Sequence, residues 1–163
     1  MSLTAERLRE LLEYDPVTGR FWWRVSRGSV QDGALAGALG VKDRYLQIRI
    51  DGRLYYCHRL AWLYMTGTWP AGRLDHRDLN GHNNRWENLR PATHSQNIHN
   101  TKARKNSRSG IKGVSYNPKR KRWEARIMQD GRTIHLGRYL TKEEAAEAYR
   151  LAALARYGDF ARS

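Results

Sequence analysis

Asp75 and His76 stand side by side, Asn88 follows twelve residues after the histidine, and Asn97 comes nine residues later. A carboxylate beside an imidazole puts a ligand for a hard divalent cation next to a base that takes a proton from water. Phosphodiester hydrolysis needs both. Asp75 and the Asn97 amide each offer an oxygen, the donor that suits Mg²⁺ or Mn²⁺. Two protein ligands leave positions open for water and a phosphate oxygen. The expectation is one catalytic metal per site, with His76 as general base because imidazole titrates near neutral pH. A lone Asp-His pair is ordinary turn chemistry, so the reading rests on all four residues together.

Residues 73–76 read as a short strand that ends at Asp78-Leu79-Asn80-Gly81. The polar cluster 80–84 is turn chemistry, because Asn and Gly tolerate positive φ. The chain returns through Glu87-Asn88-Leu89, and Thr93 with Gln96 has the spacing of a capping box. Asn97 then falls in the first turn of a helix, aimed at a point also reached from the hairpin. His58 opens HRLAWLYM, where Leu60, Leu63 and Tyr64 share one helical face, and reads as a packed or capping residue. His82 reads as an exposed loop residue.

The string LDHRDLNGHNNRWENLRPATHSQNIHN resembles the HNH family of nucleases, in the variant of phage and intron homing endonucleases where asparagine replaces the last histidine. The resemblance implies a ββα-metal motif and makes Asn88 the middle asparagine that holds the His76 imidazole in orientation. His94 and His99 flank Asn97 without matching the family's ligand position. Arg85 and Arg90 are candidates for gripping phosphate, against the plainer reading as simple DNA contacts or surface charges.

Charge points to the same partner independently. Thirty Lys and Arg against sixteen Asp and Glu give a formal charge of +14, and the sequence pI is about 10.4, the electrostatic footprint of a phosphate binder. From Thr101 onward there are sixteen basic and six acidic residues, whereas residues 1–100 carry fourteen and ten. A basic run is often only a solvated tail, but Tyr116, Trp123, Ile127 and Tyr139 give this half something to bury.

Residues 110–117, 122–128 and 132–139 read as three short strands, the last two joined by Gln129-Asp130-Gly131. Thr141 and Glu144 make a second capping box, opening a helix whose alanines lie close against a sheet. Trp123, Ala125 and Ile127 alternate with Glu124, Arg126 and Met128, so one face packs and the other is free. From Ser109 to about Ala161 the chain resembles the plant ethylene-response-factor (APETALA-two) DNA-binding domain, on the strings GIKGVSY, RWEARI, HLGRYLTKEEAAEAY and YGDFA. That likeness implies a sheet entering the major groove, and carries over Ser115, Asn117, Arg126, Met128, Thr133 and His135. Several groove-reading arginines and a tryptophan of the plant proteins are absent here. Arg126 is the leading base contact; Lys119, Arg120, Lys121 and Arg122 are expected on phosphate.

Before the motif, residues 4–14 read as a helix and Asp15 to Gly19 as a turn into a strand over 20–25. Residues 26–40 read as a glycine-rich loop, and strands over 45–50 and 53–57 flank the hairpin pair Asp51-Gly52. Trp22 and Trp23 are weighed as base-stacking groups and favoured as core. A single cysteine, Cys57, excludes an internal disulfide or a multi-cysteine zinc site. No apolar run suggests a membrane span or signal peptide, so a cytosolic location is expected.

The predicted fold is α+β, with an N-terminal β-rich region (1–57), an HNH ββα-metal core (58–100), a basic linker (101–108) and a three-stranded antiparallel sheet packed on one helix (109–163). The predicted function is a metal-dependent DNA endonuclease of phage or homing type, acting as a monomer on double-stranded DNA with no obligatory protein partner. The alternative is a DNA-binding regulator built on a non-catalytic nuclease fold.

Overall fold

Thr4 opens the first element by accepting the Arg7 N–H on its hydroxyl at 3.2 Å, starting helix α1 (Ala5–Leu11). Leu8 and Leu11 face inward. The helix stops short of the expected Tyr14, because Leu12 turns extended and begins strand β1 (Leu12–Asp15), where Tyr14 pairs with Phe21 of β2 (Arg20–Trp23). The turn between them is set by Asp15, whose carboxylate accepts the Val17 N–H at 2.8 Å and the Thr18 hydroxyl at 2.7 Å.

The computed structural model describes residues 2–26, 28–39, 44–93, 96, 97, 100, 101, 103, 107–129 and 131–161. Two units divide the chain, residues 1–93 and 94–163. Residues 26–40 are more than a loop: β3 (Leu35–Ala36) extends the first sheet beside β2, and β4 (Ala38–Leu39) joins β5 (Leu46–Ile50) and β6 (Arg53–Tyr56) in a second. Asp51 and Gly52 turn the β5–β6 hairpin with φ of 46° and 80°, as an Asp-Gly pair should. Cys57 starts helix α2 (Cys57–Thr66), which Gly67 ends in the left-handed conformation. One cluster of buried apolar residues runs from Leu3 to Leu89, so the N-terminal strands and the segment after Tyr56 share a core. Trp23 belongs to it.

Strands β7 (Arg73–His76) and β8 (Leu89–Ala92) form an antiparallel pair in the same unit. The expected capping box includes His94 and Ser95, which lie outside the described residues, as do His99 and Asp130. Gln96 and Asn97 are helical, and the Asn100 N–H donates to the Gln96 carbonyl at 3.1 Å.

In the second unit β9 (Val114–Asn117), β10 (Arg122–Gln129) and β11 (Arg132–Tyr139) form one antiparallel sheet in the order β11-β10-β9. The first strand is shorter than expected, because Ser109 holds residues 109–114 in a loop. Its hydroxyl accepts the Ile111 N–H at 3.2 Å and bonds the Val114 carbonyl at 2.6 Å. Thr141 and Glu144 form the capping box of helix α3 (Lys142–Tyr157). Its Ala145, Tyr149 and Ala153 pack on Val114, Ala125 and Ile127. Among the described residues no helix is long and apolar enough to cross a membrane.

Gly113 sets how closely this sheet and helix approach: at φ +72° an added Cβ would lie 2.3 Å from the Tyr149 ring and 2.4 Å from the Arg126 carbonyl. Gly113→Ala should therefore destabilise the second unit by about 2–4 kcal/mol. Gly110→Ala, at φ +69° but with open space around it, should cost only about 1 kcal/mol. Urea unfolding of the two variants separates the steric effect from the backbone effect.

Candidate active site

Asp75 and His76 end strand β7, and the β7–β8 register sets Asp75 opposite Arg90 and His76 opposite Leu89. Asp75 is 3% and His76 5% exposed. A carboxylate so far from water needs a partner. Arg90 supplies it, donating from Nε at 2.9 Å and Nη2 at 2.8 Å, both to Asp75 Oδ2. Arg90 is itself only 6% exposed. This corrects its assignment as a DNA contact: the guanidinium points into the hairpin because the buried carboxylate across the strand draws it there.

Residues 77–88 form a loop whose polar side chains close on one another. The Asp78 carboxylate accepts the Asn80 N–H at 2.8 Å, the Asn83 amide at 2.7 Å and the Asn88 amide at 3.0 Å. Asn88 also donates to the Asn83 carbonyl at 2.7 Å and accepts the Asp78 N–H at 3.1 Å. Both amide hydrogens of Asn88 are thus engaged within the loop. The side-chain amide that meets the His76 ring is Asn84, with Oδ1 3.2 Å from Nε2. Asn88 ties the loop that follows His76, and Asn84 meets the imidazole itself.

Asn84 is in turn fixed from the N-terminal sheet. Tyr14 donates its hydroxyl to the Asn84 carbonyl at 2.7 Å, and the Trp86 N–H donates to the Pro16 carbonyl at 3.0 Å. Gly19 packs against this backbone so closely that a Cβ would lie 2.4 Å from the Arg85 nitrogen. On its other side His76 stacks on Tyr45, centroids 5.6 Å apart, and meets His58 edge-on at 5.2 Å. Burial is the strongest influence on the His76 imidazole and holds its pKa below the ordinary value, although Asn84, Asp78 and Asp75 pull upward. A neutral ring results at neutral pH, the form that accepts a proton.

Sequence reasoning missed Asn84, Tyr14 and Tyr45. The doubled Asn83-Asn84 was a visible signal read only as turn chemistry; the two tyrosines lie too far away along the chain for spacing to find them. Arg85 and His82 are exposed. Asn97 is half-buried and belongs to the second unit. Among the described residues no group of three or more His, Cys, Asp and Glu side chains is placed to hold a metal.

In the second unit Lys119, Arg120, Lys121 and Arg122 are exposed around the β9–β10 turn, and Arg126 and His135 are exposed on the sheet. Asn117 is half-buried, donating to Glu124 at 3.0 Å and accepting the Arg120 N–H at 3.2 Å.

Residues 55–99 match the family model described as HNH endonuclease, and residues 109–159 match the AP2 domain. The chain carries an HNH endonuclease domain and an AP2 domain. It is 35% identical over 106 residues to an uncharacterised HNH endonuclease of Acanthamoeba polyphaga mimivirus, covering 64% of this chain and 54% of that protein. It is also 34% identical over 76 residues to Protein 3.8 of Escherichia phage T7, covering 46% of this chain and 63% of the phage protein. The chain thus spans a little over half the length of these curated relatives. The HNH match takes in the end of β6 and all of α2, β7 and β8, and so contains Asp75, His76, Asn84, Asn88 and Arg90.

His58 gives this domain a measurable acid sensitivity. Its Nδ1 is buried with no hydrogen-bond partner among the described atoms, and Tyr45, Tyr56 and His76 surround the ring. Burial first, then the neighbouring His76 and Arg59, push its pKa from 6.5 to about 3. The unfolded chain takes up a proton here near the ordinary value while the folded ring stays neutral. Its contribution to stability is therefore full above the ordinary value and drains as pH falls toward the folded one, by up to about 1.4 kcal/mol per pH unit. Urea midpoints measured from about pH 7 to about pH 4 should fall, and His58→Phe should flatten that slope; identical slopes would remove His58 as a cause.

Proposed function

We propose that this chain is a metal-dependent DNA endonuclease of phage or homing type, in which the HNH domain hydrolyses a phosphodiester bond and the AP2 sheet biases where it does so. The observation that carries this reading is the buried, adjacent Asp75 and His76, the first braced by Arg90 and the second by Asn84. His76, held neutral and fixed in its aromatic setting, takes the proton of the attacking water. Asp75 offers a carboxylate oxygen of the kind a hard cation takes, and the sequence pattern suggests the amide oxygen of Asn97 as a second ligand of the same kind, both suited to Mg²⁺ or Mn²⁺. Such an ion, when bound, supplies positive charge to the phosphate as negative charge develops on it. Arg90 orients Asp75 from behind, and the exposure of Arg85 within the loop supports a role for it in meeting a neighbouring phosphate.

Double-stranded DNA is the partner that the charge and the AP2 domain favour. One catalytic set per chain makes a single-strand nick the expected event for a monomer.

Incubation of the full chain with supercoiled plasmid should give nicked or linear DNA only when Mg²⁺ or Mn²⁺ is added. His76→Ala should slow this by about a hundredfold or more. Equal cleavage by both proteins would dismiss His76 as the base, and tight binding without any cleavage would favour the regulator reading.

The two units have separate cores, so deleting residues 109–163 should weaken duplex binding and blur site preference while leaving some metal-dependent cutting. Unchanged affinity in a gel-shift titration would count against a division of labour between the domains.

A further inference from the structure

A surface that meets phosphate has an electrostatic reason to avoid carboxylates, yet the outward face of the AP2 sheet is built around one. On β10 the side chains of Ala125 and Ile127 go to the core shared with α3. Glu124 and Arg126 alternate with them and project from the opposite face. Across the ladder Glu124 stands opposite Ser115 of β9 and Arg138 of β11. It is nonetheless only 3% exposed, because its partners cover it. Oε1 accepts the Asn117 amide at 3.0 Å and Arg138 Nε at 3.3 Å, while Oε2 accepts Arg126 Nη2 at 2.5 Å.

Both arginine side chains stay half-exposed, 52% for Arg126 and 47% for Arg138. A guanidinium has five N–H donors in a rigid fork, and Glu124 takes one from each. The remaining donors lie on a face otherwise furnished with short hydrogen-bonding groups and one apolar side chain: Ser115, Thr133, His135 and Met128, all exposed. A carboxylate is a poor investment for affinity to a polyanion. Its effect is directional: it stops two long, flexible side chains from swinging to whichever phosphate is nearest.

We propose that Glu124 is a positioning residue for sequence reading, holding Arg126 and Arg138 as two aimed guanidiniums whose open edges meet the O6 and N7 acceptors of guanine in the major groove. This rests on the reading that the outward face of the AP2 sheet binds duplex DNA. The device trades non-specific attraction for discrimination, so its removal has a distinctive sign. Without the negative charge, the freed arginines grip any backbone more strongly while base preference fades.

The test is selection by the full-length protein from duplexes with a randomised centre, followed by sequencing, for the natural chain, Glu124→Gln, Glu124→Asp and Arg126→Lys. Affinity for one arbitrary duplex is measured alongside over a range of salt. The natural chain should enrich a motif containing guanine. Glu124→Gln should lower preference at one or two positions of that motif by about ten- to hundredfold, with equal or tighter binding to the arbitrary duplex and a steeper salt dependence. Glu124→Asp should restore part of the preference. Arg126→Lys keeps the charge and loses the fork, so it should flatten at least one of the same positions even if Glu124→Gln fails to fold.

An unchanged motif in either Glu124→Gln or Arg126→Lys would overturn the proposal. So would a parallel loss of specific and arbitrary binding in a folded Glu124→Gln protein, which is what a purely structural carboxylate would give. Duplex binding by the natural chain with no sequence preference would overturn this inference alone; no duplex binding at all would overturn the reading beneath it.

Discussion

The Asp75–Arg90 pair fixes the geometry on which the HNH domain depends. Both partners are shielded from water, and a buried charge that loses its counterpart costs about 3–5 kcal/mol. The pair spans β7 and β8 at directly opposed positions. A slip of one residue would turn every side chain of one strand to the opposite face, parting the carboxylate from the guanidinium. Register and ion pair therefore enforce each other. With the register set, His76 comes to the end of its strand and the loop that follows has a fixed starting point.

That loop is held by hydrogen bonds among its polar groups together with Trp86, which packs on Trp62 of α2. Asp78 is its hub, and Asn88 fastens both of its ends. A half-satisfied polar network would be worse than an apolar one, because each unpaired buried group carries its full desolvation cost. The network continues outward through Asn84 to Tyr14, so the imidazole is connected to a sheet more than sixty residues earlier in the chain. The N-terminal strands that share its core are thus part of the mount for the His76 ring.

What could be read in the sequence follows from how local each signal is. The hairpin Asp51-Gly52, the capping box at Thr141 and Glu144, and the alternation through Trp123, Ala125 and Ile127 are decided by residues close in the chain, and the structure matches them. Helix α1 ended early because the demand of Leu12 and Tyr14 for the first sheet overrode a helical pattern. Strands β3 and β4 escaped notice because two residues give no periodicity. Arg90 was misplaced for a related reason: an arginine three residues before a predicted cap looks like surface charge until the strand register puts a buried carboxylate opposite it. Asn84 escaped notice beside Asn88 because its contact with His76 depends on how the loop folds back, which spacing does not show.

Net charge and sequence reading make opposing demands on the AP2 domain. The whole chain's charge of +14 attracts any duplex, and attraction that depends only on phosphate is blind to bases and weakens with salt. Discrimination requires donors that are fixed before contact, since a mobile lysine or arginine adapts to whichever acceptor is nearest. The basic side chains of the β9–β10 turn, Lys119 to Arg122, have the exposure suited to the first task. Arg126 and Arg138 differ from them in having a shared buried anion that limits where they point. Placing one carboxylate among cations weakens the overall pull by a single charge and confines that loss to the face where direction matters.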